Sequence, residues 1–344
     1  MTTSLSTRNP KQTTVRLFFV FSITLLSTVC TAQNTTAPLT LNNRTPFTQI
    51  FMAPIAPDLA LSPTSRQLST QFDLTSHSLI QSNDIEQLEI DGETYRLAIQ
   101  ASARIRPRLI VHAEAPFFLH GAGFIDRFID DWHALTQLPE GERPRQPQDA
   151  LLFGYRNNDE FFLVDRQQQG IGDLQFAAAY QLQGMRSSSP EGISPTTWLQ
   201  IAIKLPTGRY RALTGSEAVD IGVSIHHTRH VPTENRSWSF NADVFFLHVG
   251  DTPQLSARRF QWQTNLRAAL NLTDTLAPEA QLRYRSAAYN SNIPALGDAS
   301  LSLDAGVYLT RPNGVWRFGI SEDLNVDSAP DITFYAHFSR RYGH

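Results

Sequence analysis

Apolar and polar residues alternate along most of this chain, from about residue 66 to the C-terminus, in stretches of about ten residues that turn residues separate. In the stretch 300–309, the apolar positions are Leu301, Leu303, Ala305, Val307 and Leu309. Because successive side chains of a strand point to opposite faces, each stretch is predicted to be a strand with one apolar and one polar face. Strands of this length and pattern are typical of transmembrane β-barrels, in which lipid covers the apolar face.

The sequence predicts an all-β protein, an antiparallel transmembrane barrel of about twelve strands. Short connections alternate with longer polar ones, as periplasmic turns alternate with outer loops, and an even strand count places both chain ends in the periplasm. A soluble β-sandwich is the alternative, although its strands are commonly about six residues long. The predicted strands lie near 66–80, 87–105, 108–118, 171–183, 197–206, 219–230, 236–249, 258–271, 275–287, 299–310, 315–324 and 331–342.

Aromatic residues cluster near the ends of these strands, as they do in the girdles at the two interfaces of a membrane barrel. This position favours the barrel over a sandwich with an aromatic core. The residues assigned to the girdles are Tyr180, Trp198, Trp238, Phe260, Trp262, Tyr284, Trp316 and Phe338.

The barrel is predicted to span residues 66–344, and the chain that precedes it divides into two parts. Residues 1–32 are predicted to be a signal peptide, because basic residues precede a short apolar run and Cys30-Thr31-Ala32 offers a cleavage site. Cys30 could instead accept a lipid, but Val29 stands where lipoproteins have a small residue. Residues 33–65 are rich in proline, which argues against a central strand. They are predicted to be a periplasmic lead-in or a strap across the lumen.

Composition excludes several functions. The 344 residues are 18% charged with a net charge of −3, and no basic stripe indicates a nucleic-acid partner. Cleavage after Ala32 leaves no cysteine, which excludes disulfides and thiolate metal sites. The mean hydropathy of −0.26 would suit a soluble protein, but polar lumen residues lower this value in barrels as well. No apolar run is long enough to predict a transmembrane helix.

Residues 119–170 are the one long insertion, interpreted as a strand-free outer loop. A short helix is predicted in its first part, because apolar residues there recur at helical spacing. Asp126, Asp130 and His133 could share the polar face of this helix and do acid–base chemistry or bind a cation. The alternative is a solvated polar face. The apolar positions are Phe124, Ile125, Phe128, Ile129 and Trp132.

The polar face of the strands carries charges that are predicted to line the lumen. Such charges could select what passes through a pore. Alternatively, they pair with one another and fill a narrow lumen, since buried charges need partners. The candidates are Arg104, Arg108, His112, Glu114, Lys204, Asp243, Arg267, Glu279, Arg283, Arg285 and Asp304.

Enzyme and metal motifs give little support to other functions. His226 and His230 share one face of a strand and His227 the other, so the three cannot converge on a metal without a bend. The sequence contains neither a Gly-x-Ser-x-Gly elbow nor a His-Glu-x-x-His motif, and no nucleotide-binding loop. We therefore predict no catalytic residue, no cofactor and no metal site.

Several segments carry a resemblance to a known family. They are residues 90–94, 114–117, 123–133, 170–173 and 204–208. Together they resemble a family of uncharacterised proteobacterial outer-membrane β-barrel proteins, known only as a domain of unknown function, over most of residues 43–344. The last two segments are also similar to those of barrels implicated in the uptake of aromatic or other hydrophobic compounds. The resemblance implies a barrel fold and supplies no catalytic residue.

The preferred function is an outer-membrane channel or transporter in a Gram-negative bacterium that passes small molecules, with hydrophobic compounds as the candidate class. Its expected partners are membrane lipid, lipopolysaccharide and a small-molecule solute. One alternative is an outer-membrane lipid hydrolase that uses insertion residues such as His133. Another is a non-catalytic envelope or adhesion protein with the same insertion as its contact surface. Fold alone does not decide among these functions.

Overall fold

The computed structural model describes residues 41–343 apart from 56–58, 60, 63, 130–148, 184–194, 235, 254, 326–327 and 329–331. These residues contain fifteen strands in one antiparallel sheet. The strands are β1 (Arg66–Ser82), β2 (Gln87–Arg106), β3 (Leu109–Gly121), β4 (Leu152–Arg156), β5 (Phe161–Val164), β6 (Gln168–Ile171), β7 (Leu174–Gln183), β8 (Thr196–Leu205), β9 (Asp220–Pro232), β10 (Ser237–His248), β11 (Phe260–Asn271), β12 (Leu276–Arg285), β13 (Ser300–Arg311), β14 (Gly314–Asp323) and β15 (Ile332–Tyr342).

Twelve of the strands close into a barrel. Neighbours pair in chain order from β1 to β3 and from β7 to β15, β3 pairs with β7, and β15 pairs back with β1. The predicted twelve-stranded barrel is therefore confirmed. Most strand ends fall within about three residues of their predicted positions, because the period of two is readable over ten residues.

The insertion contains strands that the sequence did not predict. β4 and β5 lie in residues 119–170 and β6 begins there, so the expectation of a strand-free insertion is wrong. They have four or five residues each, too few for a period of two to be read with assurance. β4 pairs with the start of β2, β5 pairs with β4, and β6 pairs with the end of β3, so all three extend the barrel wall at one end.

The two faces of the wall differ as the alternation requires. In β9 and β10, exposed and buried residues alternate almost without exception. The outward positions are apolar, as shown by Ile201, Leu266 and Phe246, whose exposed fractions are 57%, 53% and 57%. Trp198 was assigned to an aromatic girdle, and that assignment is wrong, because its ring is buried inside the barrel. Trp198 points to the same side of β8 as the buried Gln200 and Lys204, which is the inner side.

The two ends of the barrel differ in their connections. At one end, here called the turn end, β9–β10, β11–β12 and β13–β14 are joined by two to four residues. At the other, the loop end, the connections include residues 206–219, 249–259 and 286–299. The helical pieces, which are residues 126–129, the 3₁₀ turn Tyr210–Ala212 and the single turn Pro294–Gly297, lie in loop-end connections. None of the helices in the described ranges is both long enough and apolar enough to cross a bilayer.

The β1–β2 hairpin is longer than the rest of the wall and folds over the loop end. One edge of β2 pairs with β1, and the other edge changes partner at Gly92, which has φ +132°. Residues 87–91 pair with β4, and residues from 93 onward pair with β3. Glycine tolerates this backbone conformation, which other residues rarely adopt. The hairpin tip then packs Leu88 and Ile90 into an apolar cluster with Phe153 and Phe162.

Candidate functional site: the closed lumen

The lumen is filled by side chains and by a segment of the chain that belongs to no strand. Lys204, Arg267 and Asp304 expose 1%, 3% and 0% of their surface, although each points into the barrel from a different part of the wall. Solvent therefore hardly reaches these residues, which were predicted to line a pore. The charges form three networks, one on each part of the wall.

The first network lies on β1, β2 and β3. Arg96 forms ion pairs with Asp73 and Glu114, and Arg44, which precedes the barrel, forms another with Asp73 at 2.9 Å. The Gln100 side chain donates a hydrogen bond to Glu114 at 2.7 Å. His112, from the predicted set, is buried next to this network, with Nδ1 2.8 Å from the Ser102 hydroxyl. Charges thus alternate along the chain of contacts, as buried ions require.

The second network lies on β11 to β14. Glu279 lies between two guanidinium groups, with Oε2 2.6 Å from Arg267 and 3.1 Å from Arg317. Asp304 accepts hydrogen bonds from Arg283 at 3.0 Å and from the Gln281 side chain at 3.0 Å. Every charged group of this network is buried, so each carboxylate is held in place by the cations around it.

The third network joins β8 and β9 to a loop. Lys204 Nζ lies 2.5 Å from Asp173, 3.3 Å from Asp220 and 2.5 Å from the Ser216 hydroxyl. Nearby, His226 Nδ1 lies 2.6 Å from the Asp243 carboxylate. Among the buried charges, the β7–β10 side of the lumen thus has three carboxylates and one lysine, and the β11–β14 side has four arginines and two carboxylates. The two sides have opposite excess charge.

Residues 41–55, here called the lumen segment, run between these two sides. The Met52 amide donates to Asp220 at 3.0 Å, and the Thr48 carbonyl accepts from Arg285 at 3.5 Å. Farther along, the Ile55 carbonyl accepts from the Gln200 side chain at 2.8 Å. The segment therefore presents an amide donor to Asp220 on the acidic side and a carbonyl acceptor to Arg285 on the basic side, while a second carbonyl accepts from the neutral Gln200. Its polar backbone fits the charge distribution of the wall.

The lumen segment also closes the loop end by apolar packing. Phe47, Ile50, Phe51 and Met52 are buried against rings from the hairpin and the loops, and the Phe47 carbonyl accepts a hydrogen bond of 2.5 Å from the Tyr289 hydroxyl. Phe47 stacks edge-on with Phe162, and Phe51 contacts Tyr289, both at 5.4 Å between ring centroids. We call this cluster of segment, hairpin and loop residues the apolar cap.

Arg285 differs from the other lumen arginines. Its guanidinium is buried, and its hydrogen bonds within the described residues go to neutral oxygens, those of Gln261 at 3.0 Å, Asn42 at 3.4 Å and Thr48 at 3.5 Å. Two of these three partners belong to the lumen segment. Withdrawal of the segment would leave this cation partly unsatisfied at the inner edge of the apolar cap.

The segments that carry the family resemblance meet in pairs at the loop end. The Glu93 carboxylate accepts hydrogen bonds from the amides of Phe124 and Ile125, both at 2.8 Å. Gly123, with φ +83°, gives Glu93 room to approach. In the same way, Asp173 accepts from the Gly208 amide at 2.8 Å besides holding Lys204. These residues thus fasten loops to the rim of the barrel, a structural role that their sequence positions did not reveal.

Several predicted site residues lie elsewhere or stay untested. Arg108 is exposed in the turn between β2 and β3, so it does not belong to the lumen networks. Arg104 is half-buried at the turn end, with its guanidinium 5.2 Å from the centroid of the Trp198 ring. Asp126 is buried and accepts a hydrogen bond of 2.7 Å from the Asp149 amide, so it is no solvated residue. Asp130 and His133 lie outside the described residues.

The predicted helix packs differently from expectation. Ile125 and Ile129 are buried, but Phe124 and Phe128 expose 70% and 54% of their surface, so the four residues do not share one buried face. Helical spacing alone did not distinguish the side facing the barrel from the side facing outward. In the described part of the chain, no three His, Cys, Asp or Glu side chains are placed to hold a metal ion.

The sequence analysis missed several lumen residues. Asp73 and Arg96 have the buried parity of β1 and β2, so the alternation could have identified them. Asp220, by contrast, is the first residue of β9 and follows a loop. No preceding strand residue shows on which face its side chain lies. Arg44 lies outside the strands, and no sequence pattern indicated its contact with Asp73.

A buried carboxylate ties the hairpin tip to a loop across the mouth. Glu86 accepts hydrogen bonds from the Tyr155 hydroxyl at 2.8 Å, the Ser291 hydroxyl at 2.8 Å and the Asn292 amide at 2.9 Å. Burial raises the pKa of Glu86, but the hydrogen bonds from Asn292, Ser291 and Tyr155 outweigh it and hold the pKa below its usual value of 4.5.

This lowered pKa predicts an acid-sensitive contact. Stabilisation by ionised Glu86 is fully present above pH 4.5 and is lost as the pH falls through the lowered pKa. The protection factors of the amides of residues 286–299, which are corrected for the intrinsic exchange rate at each pH, are therefore expected to fall below that pH. In Glu86→Gln, these protection factors should be low already at pH 7 and change little on acidification. An unchanged pH profile in the variant would contradict this role.

Comparisons with known proteins agree with the fold. The model of a family described as "Protein of unknown function (DUF3187)" matches residues 16–344. No curated protein matches the sequence. Among solved structures, the COG4313 outer membrane channel from Pseudomonas putida F1 is similar at a TM-score of 0.52 and 10% identity, over 82% of this chain and 97% of that one. This similarity shows a shared barrel fold.

Two further structures are more distantly similar. The transport unit of the autotransporter AIDA-I from Escherichia coli has a TM-score of 0.45 and 8% identity, over 83% of this chain and 92% of that one. The CymD monoaromatic hydrocarbon channel has a TM-score of 0.35 and 11% identity, over 90% of this chain and 95% of that one. The resemblance noted in the sequence is confirmed for the family and the barrel fold.

Proposed function

The chain belongs to DUF3187, a family of proteins of unknown function whose name carries no activity, and we propose from the barrel itself that it is an outer-membrane channel or transporter for small solutes. One observation carries this proposal. The barrel has an apolar outer face and a charged lumen, and a segment that is not part of the wall fills that lumen. A segment that belongs to no strand of the wall can leave the lumen without breaking a strand pairing, as opening of a channel requires.

The proposal places the protein in the outer membrane of a Gram-negative bacterium. Twelve strands with exposed apolar side chains need lipid around them, because such a surface is rarely left in contact with water. The short connections put the turn end in the periplasm and the loop end outside. The lumen segment then lies inside the barrel with its apolar residues toward the outer mouth.

The solute class follows from the two surfaces that the lumen segment covers. The apolar cap offers aromatic side chains such as Phe162 and Tyr289, and the buried cation Arg285 contacts Thr48, the residue after Phe47 of the cap. A small molecule with an apolar body and an anionic group would satisfy both when the segment is displaced. We therefore propose apolar carboxylates as solutes, which narrows the expectation of hydrophobic molecules.

Arg285→Gln is the variant that tests this solute class. With the cation gone, flux of an aromatic carboxylate such as benzoate into liposomes is expected to fall about tenfold, as one lost charge-assisted contact implies. Flux of phenyl glucoside, an uncharged aromatic compound whose sugar hydroxyls keep it from crossing lipid freely, should change little. Equal loss of both fluxes would show that Arg285 only supports the structure, and equal retention would contradict the solute class.

Catalysis is not part of this proposal. The hydrolase hypothesis depends on His133 and the adhesion hypothesis on the whole insertion, and both stay predictions that no described contact supports. Purified protein incubated with phospholipid tests the first, and we expect no release of fatty acid.

Purified protein in planar bilayers tests the channel. Absence of any solute-dependent current, with the lumen segment present or removed, would contradict it.

A further inference from the structure

The outward face of β9 changes character toward the turn end. Ile221, Val223 and Ile225 are exposed apolar residues, but His227 and Arg229 occupy the next two outward positions and are also exposed. Within the described residues, Arg229 forms no ion pair. A basic side chain that faces lipid is destabilising unless it lies near the interface and meets a negative group.

A groove in the outer wall lies directly beside these two residues. Its cavity has a volume of about 720 Å³ and is lined mainly by apolar residues, including Phe240, Leu266 and Leu282, with His227 and Arg229 at its edge. None of its lining residues is acidic. The groove is therefore apolar along its length and basic at one end.

Strand register explains why the wall is indented there. Arg229 is paired with Phe240, Phe240 with Ala268, Ala268 with Ala280, and Ala280 with Ala305. Three alanines thus lie side by side on adjacent strands, and strands are spaced about 4.8 Å apart. The row is about 10 Å wide, which is enough to hold the acyl chains of one lipid.

We propose that this groove binds one phospholipid, with its acyl chains against the alanine row and its phosphate at Arg229 and His227. Guanidinium groups bind phosphate oxygens with two parallel hydrogen bonds, so Arg229 supplies the attraction that the apolar row cannot. The basic edge lies in the half of β9 nearer the turn end, where the proposed orientation puts the periplasmic leaflet. The inference rests on the proposed membrane location and not on channel activity.

Native mass spectrometry of the full-length protein in detergent tests the headgroup contact. The delipidated protein is titrated with dioleoyl phosphatidylglycerol, and Arg229→Ala is expected to weaken binding of the first lipid about tenfold. Arg311→Ala removes an exposed arginine from another turn and should leave binding unchanged. Dioleoylglycerol, which has no phosphate, should bind weakly and equally to all three proteins. Equal phosphatidylglycerol binding by the Arg229→Ala variant would overturn the proposal.

A second pair of variants tests the groove. Ala280→Phe fills the centre of the alanine row, and Ala101→Phe adds the same side chain to an exposed outward position on β2. Only the first should lower phosphatidylglycerol binding, and equal effects would overturn the groove as the site. Preferential, Arg229-dependent binding of lipid A would also overturn it in favour of the other leaflet. Conductance, measured in parallel, separates this failure from failure of the proposed channel.

Discussion

Removal of residues 41–55 is expected to raise the conductance of the reconstituted protein by about an order of magnitude, since a wall of twelve strands encloses more space than its own side chains fill. The lumen segment lies between the acidic and basic sides of the barrel and buries Phe47 and Phe51 beneath the outer mouth. Among the described residues no strand pairing involves it, so we expect the wall to keep its register without it. Single-channel recording in planar bilayers measures the difference.

The deletion needs a control for folding. A barrel that has closed resists unfolding in detergent and migrates faster on a gel before heating than after it, so this shift identifies folded protein. Asp220→Asn offers a milder test, because it removes the carboxylate that accepts the Met52 amide and leaves the chain intact. This variant should increase the frequency of brief channel openings without raising the conductance of the largest opening. Folded protein that stays closed after deletion would show that the wall itself blocks the lumen.

Glu279→Ala is expected to lower the free energy of unfolding by about 3–5 kcal/mol, the cost of leaving buried cations without their counter-charge. Glu279 is the carboxylate that Arg267 and Arg317 share, at 2.6 and 3.1 Å. Without it, two positive charges face each other in the β11–β14 side of the lumen. Urea unfolding in detergent, followed by tryptophan fluorescence, measures the change.

A matched pair on the surface provides the control for this result. Asp251 and Arg259 form an ion pair of 2.8 Å at the loop end, but both side chains are largely exposed. Asp251→Ala should therefore change the free energy of unfolding by less than about 1 kcal/mol. If the two variants cost the same, Glu279 would be solvated and the lumen would be wet at its middle. The combined Glu279→Ala and Arg317→Met variant should recover part of the loss.

The strands and their faces could be predicted from sequence because they follow a local rule. A period of two over ten residues fixes which residues face lipid, and therefore which charges share the lumen. Most of the predicted lining residues, such as Lys204 and Asp304, are indeed buried inside the wall. The rule failed at Arg108, which lies in a turn beyond the end of β2. Trp198 was misplaced for a different reason, because it was assigned to a girdle from its aromatic ring although the alternation puts it inside the barrel.

A filled lumen was one interpretation of the sequence, but the contacts that fill it could not be predicted, because they join residues that are far apart in the chain. Arg44 and Asp73, or Phe47 and Tyr289, meet only after the barrel has closed around the segment. The sequence left a periplasmic lead-in and a lumen strap as equal alternatives for residues 33–65. Short strands such as β5 escaped for another reason, since four residues carry too little pattern.

The seam between β1 and β15 has a consequence for biogenesis. These are the first and last strands of the wall, so the circle is completed only after β15 has been synthesised. The lumen segment precedes β1 in the chain and is therefore made before any strand. It can be enclosed while the sheet is still an open ribbon, and no finished cylinder has to be threaded.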